Sequence, residues 1–143
     1  MTVTHILSRK GTAVVTIEPT ASLAAAAKLL AQRRIGALVV TGAGHRVVGV
    51  ISERDIVRVI DNQGPAALDV PVADAMTRKV VTCTLGDTII ELMERMTAGK
   101  FRHVPVVERG RLAGIISIGD VVKARLEELE HEQDALRDYI RTA

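Results

Sequence analysis

Aromatic side chains are almost missing from this 143-residue chain, which has no Trp, one Phe (Phe101) and one Tyr (Tyr139). Stacking a base between aromatic rings is therefore excluded, and any flat ligand has to lie against aliphatic side chains. Charge of one sign is also scarce: 19 Lys+Arg stand against 17 Asp+Glu, a net charge of +2. With neither a basic stripe nor an aromatic platform, nucleic-acid binding is not the expected role. The single cysteine, Cys83, excludes an intramolecular disulfide and suits a reducing compartment. No apolar run approaches the ~18 residues of a membrane span, and the first residues lack the charged and long apolar regions of a signal peptide, so a soluble cytoplasmic protein is expected. The histidines His5, His45, His103 and His131 show no ligand spacing and no Cys-x-x-Cys occurs, so no metal is expected. No Gly-rich loop ending in Lys-Ser/Thr is present to hold a triphosphate for hydrolysis. Cys83 and His103 are the one pair that would imitate a thiol nucleophile and its base, but a lone Cys in an apolar segment reads as packing, and no enzyme is expected.

What is present is aliphatic and repeated. Hydrophobic residues make up 48% of the chain and charged residues 25%, enough to bury a core. Gly49-Val50-Ile51-Ser52-Glu53-Arg54-Asp55-Ile56-Val57 returns as Gly114-Ile115-Ile116-Ser117-Ile118-Gly119-Asp120-Val121-Val122, at an offset of 65. Each copy reads as a buried strand running into a helix. Upstream, Val14, Val15 and Thr16 recur as Val80, Val81 and Thr82 at an offset of 66, so one residue is lost in a hairpin loop. A repeat of about 65 residues is too small to bury its own core, so the halves must pack on each other.

The first copy is expected to hold a short helix over 4–9 ended by Gly11, a strand over 13–17, and a helix over 20–34 capped by Thr20 or Ser22. A strand over 35–40, a turn over 41–45, a strand over 47–51 and a helix from Asp55 to about Asp61 follow. Residues 62–71, with Gly64, Pro65 and Pro71, read as a linker. The second copy repeats the order: a helix over 72–76, a strand over 79–83, a helix from Asp87 or Thr88 with a Thr88–Glu91 capping box and ended by Gly99, then a strand over 101–107. Leu23, Ala27 and Leu30 form the apolar stripe of one long helix, and Ile89, Met93 and Met96 that of the other. The fold class is α/β (α+β): two β-α-β-β-α repeats in a pseudo-twofold module, with repeat 1 over 1–68, repeat 2 over 69–126 and a helical extension over 127–143.

The last helix is expected to run from Asp120 to about Arg141. Val122, Leu126, Leu129, Gln133, Leu136 and Ile140 are spaced 4, 3, 4, 3, 4, a heptad seam with one polar position. It either lies on its own module or pairs with a second copy, and a homodimer is the favoured reading because the remaining faces are charged.

Ser52 and Asp55, like Ser117 and Asp120, stand at helix starts, where a hydroxyl and a carboxylate three residues on would serve as plain caps. The same groups would also suit a nucleotide: a carboxylate beside free N–H groups accepts ribose hydroxyls, and a hydroxyl at a helix N-terminus meets phosphate oxygens. The repeated Gly-h-x-Ser-x-x-Asp (h, apolar), the β-α-β-β-α order and the His103-Val104-Pro105-Val106 strand resemble the CBS domain, which occurs in tandem pairs called Bateman modules. The resemblance covers residues 3 to 126, and chains of this length look like stand-alone bacterial CBS pairs.

That resemblance implies a regulatory module taking an adenine nucleotide (AMP, ADP, ATP, NAD(H) or S-adenosylmethionine) in clefts between the repeats. It implies Asp55 and Asp120 on ribose, and Ser52 and Ser117 near phosphate. One cleft would add Val50, Ala37, Cys83, Thr84, Phe101 and Arg102; the other would add Ile115, Arg102, His103, Ile17, Glu18, Ile35 and Gly36. Aliphatic walls would supply the dispersion that rings supply elsewhere. Arg54, Arg102 and His103 are the candidate phosphate contacts, with Arg58 and Lys123 as lesser ones, although each also reads as an ordinary solvated or packed side chain. Arg54 beside Asp55 makes the first cleft the better equipped, and the second is expected to borrow its charge from Arg102 and His103. The alternative is a structural interaction module with empty clefts; in either case an unidentified effector protein would read the signal.

Overall fold

A computed structural model describes residues 1–142; position 143 of the expected extension lies outside the described residues. In order, the elements are α1 (Val3–Lys10), β1 (Thr16–Ile17), α2 (Leu23–Arg33), β2 (Ala37–Thr41), β3 (Val47–Ser52), α3 (Glu53–Gln63), α4 (Val72–Ala75), α5 (Ile89–Gly99), β4 (His103–Glu108), β5 (Arg111–Ser117) and α6 (Ile118–Thr142). The mixed α+β architecture, the two copies and the long last helix are as the sequence implied.

Each long helix starts where its chemistry directs. Ser22 caps α2 by accepting the Ala25 amide, and Thr88 and Glu91 form the expected capping box on α5. The apolar stripes settle one position earlier than expected: Ala26 and Leu92 are buried, whereas Ala27 and Met93 are partly so. Gly99 is the last residue of α5 and does not end it; the left-handed C-cap is Lys100 (φ 56°), matching Arg34 (φ 53°) after α2. Gly99 is required for space instead, since a Cβ there would lie 2.2 Å from the Phe101 ring.

β1 runs parallel to β2, and β2 antiparallel to β3, in a three-stranded sheet. β4 and β5 form an antiparallel pair, closed by a tight turn with Arg109 and Gly110 both at positive φ. The strand expected over 79–83 is not formed. Cys83 alone bridges Val106, because residues 79–81 leave the sheet to become the wall of a cavity. The strand expected over 13–17 shortens likewise to two residues. The linker over 62–71 is more structured than expected: α3 runs on to Gln63, and Gly64–Asp69 is a 3-10 turn that buries Ala67.

The two cores exchange their opening helices. Val3, Ile6 and Leu7 of α1 pack among Ile89, Leu92, Val104 and Ile116 of the second copy. Val72 and Met76, in and just after α4, pack among Leu23, Leu38 and Ile51 of the first. Backbone hydrogen bonds lock both exchanges, from Val3 N–H to Asp87 O and from Val72 N–H to Ala21 O. Neither copy therefore holds a complete core in consecutive sequence.

Candidate functional site

At the end of β3 the chain turns directly into α3. The Ser52 hydroxyl accepts the Asp55 amide (3.3 Å), and the Asp55 Oδ2 accepts the Ser52 amide (2.9 Å) and hydroxyl (3.0 Å). Plain capping is thus realised in full. Asp55 is nonetheless only 4% exposed, and its second oxygen faces outward to accept Arg58 Nη2 at 2.7 Å. The guanidinium of Arg58 is 65% exposed, so a ligand hydroxyl would displace it at small cost. Arg58 thus pairs with Asp55 and does not line the cavity that this elbow faces.

The elbow faces a cavity of about 470 Å³ between the copies. One wall comes from Gly36, Ala37, Val50 and residues 52–55; the other comes from Thr77, residues 79–81 and residues 99–103. Val50, Val80, Val81 and Phe101 supply its apolar surface. Around its mouth stand Arg54, Lys79, Lys100 and Arg102, none of which makes an ion pair among the described residues. Against them stand only Glu53 and the already paired Asp55. The cavity is therefore cationic in a chain that is nearly neutral, and clustered unpaired cations focus an anion-attracting field.

His103 also lines the cavity, half-buried. Burial holds its imidazole below the ordinary histidine range, and the charges of Lys10 and Arg102 add to this while Asp120 opposes them. A neutral ring at pH 7 has proton affinity to gain when an anion enters.

Of the residues expected around Asp55, the structure brings together Ser52, Arg54, Val50, Ala37, Phe101 and Arg102, and adds Gly36 and His103 from the group assigned to the other cleft. Cys83 and Thr84 do not join them. Cys83 is buried in the core, where desolvation pushes its thiol up to about 12. The Thr84 amide instead donates to Asp87 Oδ2 (2.9 Å), an interaction that holds the Asp87 carboxyl below its usual range. Lys79, Lys100 and Thr77 escaped sequence reasoning. Lys79 was hidden because its segment reads as strand, and Lys100 because Gly99 took the role of helix stop.

The second elbow copies the first. Ser117 N–H donates to Asp120 Oδ2 (2.9 Å), Asp120 N–H donates to Ser117 Oγ (3.1 Å), and Ile118 N–H bonds Arg102 O (2.8 Å) as Glu53 N–H bonds Gly36 O (3.0 Å). Here the cation on Asp120 is Lys10, 2.7 Å away; Arg102 and His103 line the other cavity, although His103 also feels the charges of Asp120 and Lys10. Burial pushes the Asp120 carboxyl up, but Lys10 and the Ser117 amide together hold it below the usual range. Ile17, Glu18, Ile35 and Ile115 line neither cavity, and Lys123 lines a hollow of about 120 Å³ beside Asp120 with His5, Arg9 and Lys10.

Two elbows of one design at the ends of paired strands, in halves that exchange helices, match the CBS domain over residues 3–62 and again over 72–127. The chain belongs to the CBS-domain family. It is 38% identical over 119 residues to the mitochondrial CBS domain-containing protein CBSX3 of Arabidopsis thaliana, covering 80% of this chain and 58% of that one. The chain thus spans a little over half of that relative's length. Among solved structures, a CBS-domain containing protein from Agrobacterium tumefaciens is 54% identical, with a TM-score of 0.83, covering 87% of this chain and 99% of that chain. A CBS domain protein from Pyrobaculum aerophilum, solved in complex with AMP, is 31% identical with a TM-score of 0.75, covering 84% of this chain and 89% of that one. Among the described residues no helix is long and apolar enough to cross a membrane, and no cluster of metal-ligating side chains occurs.

Proposed function

We propose that this CBS pair is a non-catalytic regulatory module that binds a phosphorylated adenine nucleotide in the Asp55 cavity. One observation carries the reading: a cavity of about 470 Å³ joins a buried carboxylate, aliphatic walls and four unpaired cations across the two copies. The volume suits a nucleotide and falls in the range of small-molecule sites. AMP in the Pyrobaculum relative supports the ligand class. The cationic mouth favours AMP, ADP, ATP or NAD(H) over S-adenosylmethionine, which carries a sulfonium and no phosphate and would meet like charge. The candidate thiol nucleophile, Cys83, is buried and protonated, which supports the non-catalytic reading. A single cysteine with no disulfide partner also suits a reducing, cytoplasmic setting.

A thermal-shift and calorimetric series of adenosine, AMP, ADP, ATP, NAD and S-adenosylmethionine at ~1 mM tests this, a ligand at 100 Kd adding about 2.7 kcal/mol. Binding is expected to strengthen with phosphate count, to leave the nucleotide chemically intact overnight, and to be lost in Asp55→Asn. No binding, turnover of the nucleotide, or full affinity in Asp55→Asn would overturn it.

For signal output we propose a homodimer through α6. Beyond Ala124 the helix leaves the core, and Leu126, Leu129, Leu136 and Ile140 are exposed along one stripe. In a parallel pair of these helices Arg125 would face Glu130 of a second copy, and Glu132 would face Arg137, so both flanks are complementary. A nucleotide spanning both halves would alter their angle and hence this dimer, which an effector protein reads. Leu129→Glu with Leu136→Glu is expected to give monomers by light scattering; dimers that persist would refute the helix pairing. Intact nucleotide affinity in such monomers would separate the interaction role from the ligand.

A further inference from the structure

The Asp120 elbow repeats the two backbone caps of the Asp55 elbow, and its carboxylate too is paired within the chain, by a cation far less exposed than Arg58: 31% for Lys10 against 65%. Lys10 Nζ donates to Asp120 Oδ2 (2.7 Å) and also to the Ile115 carbonyl (3.0 Å). Ile115 is the counterpart of Val50, as their strand partners Pro105 and Val39 show. In the first copy the Val50 carbonyl accepts the Thr77 amide (2.9 Å), and both residues line the open cavity. A flexible ammonium in one copy thus stands where backbone pairs in the other.

A difference in spacing between the copies produces this. Val3 bonds Asp87 as Val72 bonds Ala21, so the opening helices correspond at an offset of 69. The strand segments that follow correspond at 66. Packing agrees: a Cβ on Gly114 would meet Leu7, and one on Gly49 would meet Met76. The first copy therefore carries three more residues, Ser8, Arg9 and Lys10, between Leu7 and the following loop. They extend α1 by most of a turn past the point where α4 stops, and the extra turn ends on Lys10, over Asp120. Arg9 strengthens the hold through its ion pair with Glu127 of α6. The hollow of about 120 Å³ beside Asp120 lies between α1 and α6, and of the counterparts of the Asp55 cavity's lining it shares only Asp120.

We infer that Lys10 is an internal plug of the second cleft, so that each chain takes one nucleotide, at Asp55, until that plug is withdrawn. The inference rests on the nucleotide reading above. Asp120 keeps the full elbow geometry of a ribose acceptor, and α1 supplies in place of a ligand both the cation and the closure.

Stoichiometry with ATP as the probe, by native mass spectrometry and calorimetry, tests it. Wild type is expected to bind one ATP per chain and Asp55→Asn none. Lys10→Met, which keeps the stem that packs α1, is expected to bind two, and Lys10→Met with Asp55→Asn one. Lys123→Met is the control, because it removes a neighbouring charge that makes no ion pair with Asp120 and should stay at one. Two ATP per wild-type chain, or a Lys10→Met chain that stays at one while melting cooperatively, overturns the plug and leaves the nucleotide reading standing. No ATP bound by any variant overturns both.

Discussion

Gly49 and Gly114 open the repeated motif, and substituting each by Ala separates two costs that the sequence cannot. At Gly49 a Cβ would lie 2.5 Å from Met76 Sδ, 2.9 Å from Met76 Cγ and 3.0 Å from the Thr77 carbonyl oxygen. The methionine end can swing away, but the Thr77 carbonyl is pinned by the Val50 amide at 3.0 Å, so the opening helix must move as a unit. At Gly114 the nearest atoms are the Leu7 methyls at 2.8 and 3.0 Å, and a rotamer change relieves them. Overpacking costs about 1–3 kcal/mol, and the pinned backbone puts Gly49→Ala near the top of that range and Gly114→Ala near the bottom. For a chain of this size about 1 kcal/mol lowers Tm by roughly 3–5 °C. Gly49→Ala should thus lose roughly 8–12 °C and Gly114→Ala about 3–5 °C. Urea melts with unchanged m-values would confirm that the folded state carries the difference. Because Val50 and Thr77 line the cavity, Gly49→Ala should also weaken nucleotide binding while Gly114→Ala leaves it near wild type. Equal losses, or a Gly49→Ala chain with native Tm, would refute the account of why the motif begins with glycine.

Replacing Arg54 or Lys79 by Met should reduce ATP affinity roughly three- to tenfold, the scale of one partly exposed charge-assisted contact, and leave adenosine affinity unchanged in the same titration. His103 is held below its ordinary pKa, so it is neutral at pH 7 and should take up a proton as phosphate enters. Affinity should then rise as pH falls from 7 towards 6, proton uptake should show in buffers of different ionisation enthalpy, and His103→Gln should abolish both. Asp120 has a lowered folded pKa, so the stability it contributes is present above the unfolded carboxylate pKa and is lost as pH falls through the folded one. Lys10→Met should flatten this acid limb in melts between pH 5 and 2. Cys83 should resist alkylation at pH 8 in the native chain and react at once in denaturant; rapid native modification would contradict its burial and its pKa of about 12.

The sequence resolved what is local and repeated. The strand-to-helix elbows, the Thr88–Glu91 box and the exposed seam of α6 depend on neighbours in the chain, and their chemistry is written within a few residues. Two kinds of feature escaped. Val80 and Val81 are β-branched with strand propensity, but tertiary context decides against pairing, because the second copy opens there to face the first. Lys79 and Lys100 became visible only once that wall and the left-handed Lys100 placed them at one mouth.

The exchange of opening helices was hidden for a different reason. Its signature is the disagreement between an offset of 69 at the helices and 66 after them, which looks like ordinary loop variation until the backbone bonds from Val3 and Val72 show which residues correspond. Those three residues make the halves unequal. The two elbows share their backbone caps, so local sequence such as Arg54 against Gly119 is the smaller asymmetry. The larger one is positional: α4 stops before it can reach Asp55, and α1 runs far enough to set an ammonium on Asp120. A duplicated binding element can thus become one open site and one structural clasp without any change in its own motif, because what decides occupancy is the length of a helix lent by the other half.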